Sequence, residues 1–236
     1  MTDERFSRTR PVLGESGMDA LSRAKVIVFG AGGVGGAAIE ALARAGVGTL
    51  HVVDADTVSV SNINRQILAA DSTVGLPKVE AAKRRVFDIA PSCQFVGHEH
   101  FYTPEDRGGI ELWDFDYIID AIDTVKSKLF LIEEATRLSV PIICSMGTGN
   151  KPDPTRLKVS DIYKTNTCPL AAVIRRECRK RSIRHLKVIW SDELPCRAVA
   201  DSEGGRHAPG SVSFVPPVAG MIAAAEAVKQ IIKASL

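Results

Sequence analysis

Asn62, Arg65 and Gln66 stand close together, and Lys78 follows at the start of an apolar-periodic stretch. Arg65 comes three residues after Asn62, so on a helical turn both side chains face one way. An arginine aimed at a polyphosphate stabilises the charge that grows as a phosphate group leaves, and a lysine nearby adds a second positive charge. Taken alone, Arg65 and Lys78 are ordinary surface charges. What precedes them gives them chemistry. Gly30-Ala31-Gly32-Gly33-Val34-Gly35 fits G-x-G-x-x-G directly after the apolar run Val26–Phe29, and Asp54 lies 19 residues beyond Gly35 at the end of a second run. In that pattern Gly30, Gly32, Gly33 and Gly35 let the backbone approach phosphate. The next helix supplies amide donors and a positive dipole end, and the acid accepts from ribose hydroxyls. Asp56, two residues on, reads as a solvated or capping acid.

The glycine pattern is common to nicotinamide and flavin proteins and is weak by itself. Asn62-x-x-Arg65-Gln66 counts against a dehydrogenase, as does the lack of an evident hydride-transfer histidine in the first half. A second acidic pair, Asp120 and Asp123, closes a later apolar run. The carboxyl ends of parallel strands form a ligand crevice, and a carboxylate there holds magnesium through oxygen. Asp123 lies farther into the loop and is the metal candidate; helix capping is the competing role for one of the two.

These residues need strands that end together and helices that start beside them. Strands are expected at Lys25–Phe29, Thr49–Val53, Gln94–Gly97, Tyr117–Ile119 and Pro141–Ser145. Helices are expected at Val34–Ala45, capped by Gly46, at Lys78–Ile89 and at Lys126–Leu138. The alternation implies a Rossmann-like, mostly parallel sheet in the α/β class, covered by helices on both faces. The lead-in before Lys25 is polar, with a short helix expected near Met18–Ser22. After Gly149 the pattern shifts to a mixed or antiparallel part: a strand in "NKPDPTRLKVSDI", a helix from Pro169, a strand in "HLKVIWS" and a last helix at Pro217–Ala234. Glu193–Ser211, rich in Gly, Pro and charge, is expected to be a mobile loop.

The 236 residues are 45% hydrophobic, with a net charge of +2, so any basic patch must be local. Arg175, Arg176, Arg179, Lys180, Arg181, Arg184 and Lys187 form such a patch, suited to a phosphate backbone. A solvated helix face is the alternative. No apolar run suited to crossing a membrane is recognised, and the N-terminus is charged. The cysteines, Cys93, Cys144, Cys168, Cys178 and Cys196, are odd in number and contain no C-x-x-C. That argues against a four-cysteine zinc site and for reduced thiols in the cytoplasm.

The glycine loop, Leu42-Ala43-Arg44-Ala45-Gly46-Val47-Gly48, Asp54, Ser61-Asn62-Ile63-Asn64-Arg65-Gln66, Lys78 and Asp120-Ala121-Ile122-Asp123 together resemble the ubiquitin-activating type of adenylyltransferase. That resemblance implies ATP and magnesium, and conversion of a carboxylate to an acyl-adenylate. It implies that Asp54 binds ribose, that Asn62, Arg65 and Lys78 contact phosphates, and that Asp123 binds magnesium. Arg8, in "RFSRT", resembles an arginine that reaches a neighbouring subunit's ATP, which implies a homodimer. Lys128 stands where many relatives carry arginine and is a further nucleotide contact. The second half, "CSMGTGNKPDPTRLKVSDIYKTNTCPLAAVIRRECRKR" and "SFVPPVAGMIAAAEAVK", resembles the tRNA threonylcarbamoyladenosine dehydratases. The expectation is therefore ATP-dependent cyclisation of that nucleoside next to the anticodon. Arg175, Arg176, Arg179, Lys180 and Arg184 would grip the tRNA.

The chain is read as one domain, 1–236, with an ATP-binding half, 1–150, and a substrate half, 151–236. Some members of that family carry a hydrophobic C-terminal extension. The sequence ends at Leu236 without one, so no stable membrane association is expected. A monovalent cation (Na+ or K+) and a cysteine desulfurase or sulfur-acceptor partner are left open. The alternatives are an activator of a ubiquitin-like sulfur carrier, disfavoured by the missing zinc cysteines, a dehydrogenase, and a nucleotide-sensing scaffold.

Overall fold

Side-chain alternation along the strands decides the architecture. In β1 (Lys25–Phe29), Val26 and Val28 pack to one face of the sheet and Ile27 and Phe29 to the other, and all four are fully buried. A strand buried on both faces needs helices on both sides. The computed structural model describes residues 3–196 and 209–235. Its single sheet contains β1, β2 (Thr49–Val53), β3 (Gln94–His98), β4 (Tyr117–Asp120), β5 (Ile142–Ser145), β6 (Leu157–Asp161) and β7 (Lys187–Ser191) in the order β3-β2-β1-β4-β5-β7-β6. Every pairing is parallel except β6 with β7, which is antiparallel. The expected α/β class and mixed second half are both present.

Helices α1 (Arg10–Arg23), α2 (Gly33–Ala45), α3 (Lys78–Ile89) and α6 (Val215–Ala234) cover one face; α4 (Val125–Leu138) and α5 (Pro169–Lys180) cover the other. The lead-in differs from expectation. α1 is longer than a short helix near Met18 and is kinked at Gly14, whose φ of 72° no β-branched or bulky residue would hold. α2 ends as expected at Gly46, with φ 89° and a backbone amide returned to Leu42 and Ala43.

α6 packs along α2 through Ala219, Ala223 and Ala227. At Gly220 the two backbones are so close that a Cβ would lie 2.1 Å from the Val34 carbonyl oxygen. Among the described helices, α6 has the length and apolarity to cross a membrane, contrary to the reading that no such run exists. Half of that stretch is buried inside the fold, because its small residues form the contact with α2. Of the loop expected at Glu193–Ser211, residues 197–208 lie outside the described residues.

Candidate active site

From β1 the chain builds outward through β2 and β3, then crosses back over β1 to add β4 and β5 on its other side. An open parallel sheet gathers ligands at such a point. Here the carboxyl ends of β1, β2, β4 and β5 open into a cavity of about 640 Å3.

The glycine loop forms its floor. Gly30 has φ 90°, and a Cβ there would meet the Ala121 carbonyl oxygen at 2.8 Å; at Gly35 a Cβ would stand 1.6 Å from the Gly30 carbonyl oxygen. Only glycine builds this turn. Gly32 caps α2 without a side chain, so the helix presents backbone amides and its positive dipole end to the cavity.

Asp54 closes β2 and holds this loop in place. One carboxylate oxygen accepts from the Ala31 amide at 2.6 Å, the other from the Asp56 amide at 2.8 Å. Each oxygen keeps a further lone pair for a hydroxyl. Burial pushes the Asp54 pKa up, opposed by the Ala31 amide and the Lys78 charge. Lys78 is buried at the start of α3, with its ammonium 2.6 Å from Asp56 and 3.8 Å from Asp54. Asp56 is thus an ion-pair partner of Lys78 rather than a plain solvated acid. Arg65 and Gln66 line the same cavity. Gln66 is 7% exposed, and its Oε1 meets no donor among the described residues.

Asn62 is used differently from the expectation. Its side-chain oxygen accepts from the Ser59 amide at 3.1 Å in a short helical turn, Val60–Asn62, and it does not line the cavity. Its carbonyl accepts from the amides of Arg65 and Gln66 and so shapes the loop that carries them.

The acids after β4 also divide. Asp123 is exposed at the cavity, bonded only to the Thr124 hydroxyl at 3.3 Å among the described residues. Asp120 is fully buried: one oxygen accepts from the Ile122 amide at 3.0 Å, the other pairs with Lys128 at 2.8 Å. Lys128 is equally buried and also donates to the Ser145 carbonyl at 3.1 Å. It braces the loops after β4 and β5 from below and does not reach the cavity, against the reading of a nucleotide contact. Neither acid caps α4, whose N-cap is Thr124.

Two walls went unread in the sequence. His100, Phe101 and Tyr102 follow β3, and Met146–Gly149 follow β5, facing Leu170, Pro209 and Ser211. The strand-end rule alone points to both segments. The first half thus does place a histidine, His100, at the cavity.

The remaining candidates lie elsewhere. Arg8 is exposed in the turn before α1 and does not line its own chain's cavity. On α5, Arg175 turns inward and donates to the Thr165 carbonyl at 2.9 Å and hydroxyl at 2.6 Å, so it is not a free member of the basic face. Lys180 and Arg181 pair with Glu177 and hold its pKa down to about 2. Arg176 lies 3.5 Å from Glu177, Arg179 stacks over Tyr163, and Arg184 has no ion pair among the described residues. Lys187 pairs with Glu226. Cys93, Cys144, Cys168 and Cys178 are buried and Cys196 is exposed. Among the described residues, no three His, Cys, Asp or Glu side chains cluster to hold a metal.

The ThiF family model matches residues 6–235. A Bacillus subtilis tRNA threonylcarbamoyladenosine dehydratase is 42% identical over 240 residues, covering 97% of this chain and 94% of that one. The crystal structure of the Escherichia coli tRNA N6-threonylcarbamoyladenosine dehydratase with AMP superposes with a TM-score of 0.90 at 32% identity, covering 98% and 95%. The same enzyme with ATP gives 0.87 at 31%, with the same coverage. The chain belongs to the ThiF family, in the branch of the tRNA threonylcarbamoyladenosine dehydratases.

Proposed function

We propose that this chain uses ATP to dehydrate and cyclise N6-threonylcarbamoyladenosine next to the anticodon of tRNA. The observation that carries the reading is one cavity joining a glycine loop, a strand-end acid, an arginine and an exposed second acid to a separate, mostly uncharged arm. The relatives of matching length carry that activity in their names.

Asp54 accepts from the ribose, and the glycine loop with the first turn of α2 cradles the phosphates. The threonyl carboxylate enters past Met146–Gly149, and its oxygen attacks the α-phosphorus. The bond to pyrophosphate breaks, and Arg65 faces the negative charge that collects on the leaving group. A nitrogen of the substrate's own urea then attacks the activated carbonyl. The C–N bond closes the ring as the bond to AMP breaks, and the nitrogen's proton passes to solvent. Positioning and electrostatics suffice, and no enzyme thiol is consumed. This agrees with the burial of four of the five thiols, which raises Cys93 and Cys178 to about 11.

Magnesium fits one exposed carboxylate plus substrate phosphates and waters, and Asp123 supplies that carboxylate. When bound there, the ion supplies positive charge beside the phosphates. A cytoplasmic location completes the proposal, with a monovalent cation and a sulfur-handling partner left open. The deciding experiment is mass spectrometry of nucleosides from tRNA incubated with the protein, ATP and magnesium. A cyclised product is expected. Unchanged tRNA, together with AMP transfer to a ubiquitin-like carrier, would establish the alternative activity instead.

A homodimer completes the site if Arg8 reaches the partner's nucleotide. Mixing Arg8→Ala protein with Arg65→Ala protein should then restore part of the activity, because one hybrid site holds both arginines. No recovery despite demonstrated subunit exchange would rule the shared site out.

The face of α5 opposite Ile174 is assigned to the tRNA backbone. Neutralising Arg176, Lys180 and Arg184 together should weaken tRNA binding and flatten its salt dependence by roughly one unit of slope per lost phosphate contact. ATP affinity should hold, because these residues stand outside the cavity. Full tRNA affinity with an unaltered slope would mean that the RNA docks elsewhere.

A further inference from the structure

Asn64 stands directly before Arg65, and neither the fold nor the nucleotide site accounts for it. Its side chain is exposed and makes two bonds in opposite directions. The oxygen accepts from Arg65 Nη1 at 2.8 Å, and the nitrogen donates to the Ser211 carbonyl at 3.0 Å. Arg65 Nη1 also donates to the Ser61 carbonyl at 2.9 Å. Both acceptors thus hold one corner of the guanidinium. Its Nη2 and Nε donors meet no partner among the described residues, and they form the edge that grips an oxyanion pair.

Ser211 belongs to the wall on the other side of the cavity. That wall has its own anchor: the Asn150 amide donates to the Gly210 carbonyl at 2.7 Å, and Pro209 packs against Gly149. The stretch 209–211 is therefore pinned at one end to the loop after β5. At the other it is joined to the nucleotide side by the Asn64 carboxamide. A carboxamide suits this place because it presents an acceptor and a donor on opposite branches of one plane. Alanine offers neither. Aspartate offers two acceptors, of which one would face the Ser211 carbonyl.

We infer that Asn64 is a positioning residue that fixes the Arg65 guanidinium by tying it to the Ser211 carbonyl across the cavity mouth. The nucleotide side and the acyl side of the site are thereby set as one unit. The inference rests on the nucleotide role proposed for Arg65.

The test is a double-mutant cycle on the full chain, read by calorimetric ATP titration and by tRNA-dependent ATP consumption. Asn64→Ala should weaken ATP by about three- to tenfold, the cost of ordering one long side chain on binding. It should lower kcat while KM for tRNA stays within about twofold, and it should leave the melting midpoint unchanged. In an Arg65→Ala background it should change ATP affinity no further. Asn64→Asp, of equal volume, should bind ATP more weakly than Asn64→Ala, because its carboxylate neutralises Arg65 and repels the triphosphate. Wild-type ATP affinity in Asn64→Ala, losses that add in the double variant, or an Asn64→Asp protein indistinguishable from wild type would each overturn the inference. Wild-type protein that binds ATP but turns over no tRNA would refute the proposed activity and leave the binding cycle to decide the role of Asn64.

Discussion

Asp123→Ala protein is expected to bind ATP within about tenfold of wild type and to lose adenylation by two to three powers of ten or more, on the order of 3–4 kcal/mol of transition-state stabilisation. The split follows from where the carboxylate stands. In the proposed arrangement the glycine loop, Asp54 and α2 hold the nucleotide without help from Asp123, which is exposed on the far side of the cavity with only Thr124 as a partner among the described residues. Charge on the departing pyrophosphate grows only in the transition state, so a group that secures a cation against it acts mainly there. Pyrophosphate release measured beside calorimetric ATP affinity reads both quantities. Near-normal turnover would reduce Asp123 to a surface acid.

Lys128→Met should cost about 3–5 kcal/mol of stability, because it leaves the Asp120 carboxylate buried without its counter-charge. In a chain of this size that lowers the melting midpoint by about 6–20 °C. The pair is fully buried, and its carboxylate and ammonium also satisfy the Ile122 amide and the Ser145 carbonyl. Lys25→Met removes a pair of the same chemistry at the surface, where Lys25 and Asp114 are 44% and 47% exposed, and should cost no more than about 1 kcal/mol. Adding Asp120→Asn to Lys128→Met should recover part of the loss. Differential scanning calorimetry of the set decides the matter, and equal effects of Lys25→Met and Lys128→Met would remove the bracing role.

Lys128 also marks the limit of what could be read from residues in order. The resemblance marks Lys128 as a nucleotide contact, and nothing local reveals an acid eight positions earlier at the end of β4. Asn62 is similar: its type suits phosphate, but its oxygen is taken by the Ser59 amide, a choice made by the short turn itself. Where one physical rule dominated, the reading was accurate. The apolar runs of β1 and β2 leave no alternative to buried strands, and Pro77 fixes the start of α3. α1 was underread because Gly14 interrupts its periodicity and Val12 faces solvent. Arg175 belongs by spacing to the basic face, yet Thr165 lies within reach on the preceding loop and draws it inward. The walls at His100–Tyr102 and Met146–Gly149 are set by where strands end in space, which the sheet order decides and residue type does not.

The clasp between α2 and α6 has a consequence for how the protein is born. α2 follows the glycine turn at Gly32, while its packing partner begins at Val215. Pro216 stands so close to Gly33 that a Cβ there would lie 2.9 Å away, and Gly220 meets Val34. On the ribosome, the glycine loop therefore emerges long before the helix that seats it. Until α6 emerges, the alanine face of α2 lacks this partner, and such an uncovered face is what chaperones recognise. In the proposed reading, nucleotide binding then appears abruptly, once α6 has left the exit tunnel. A nascent chain stalled before Val215 would carry the whole glycine motif and still lack the site.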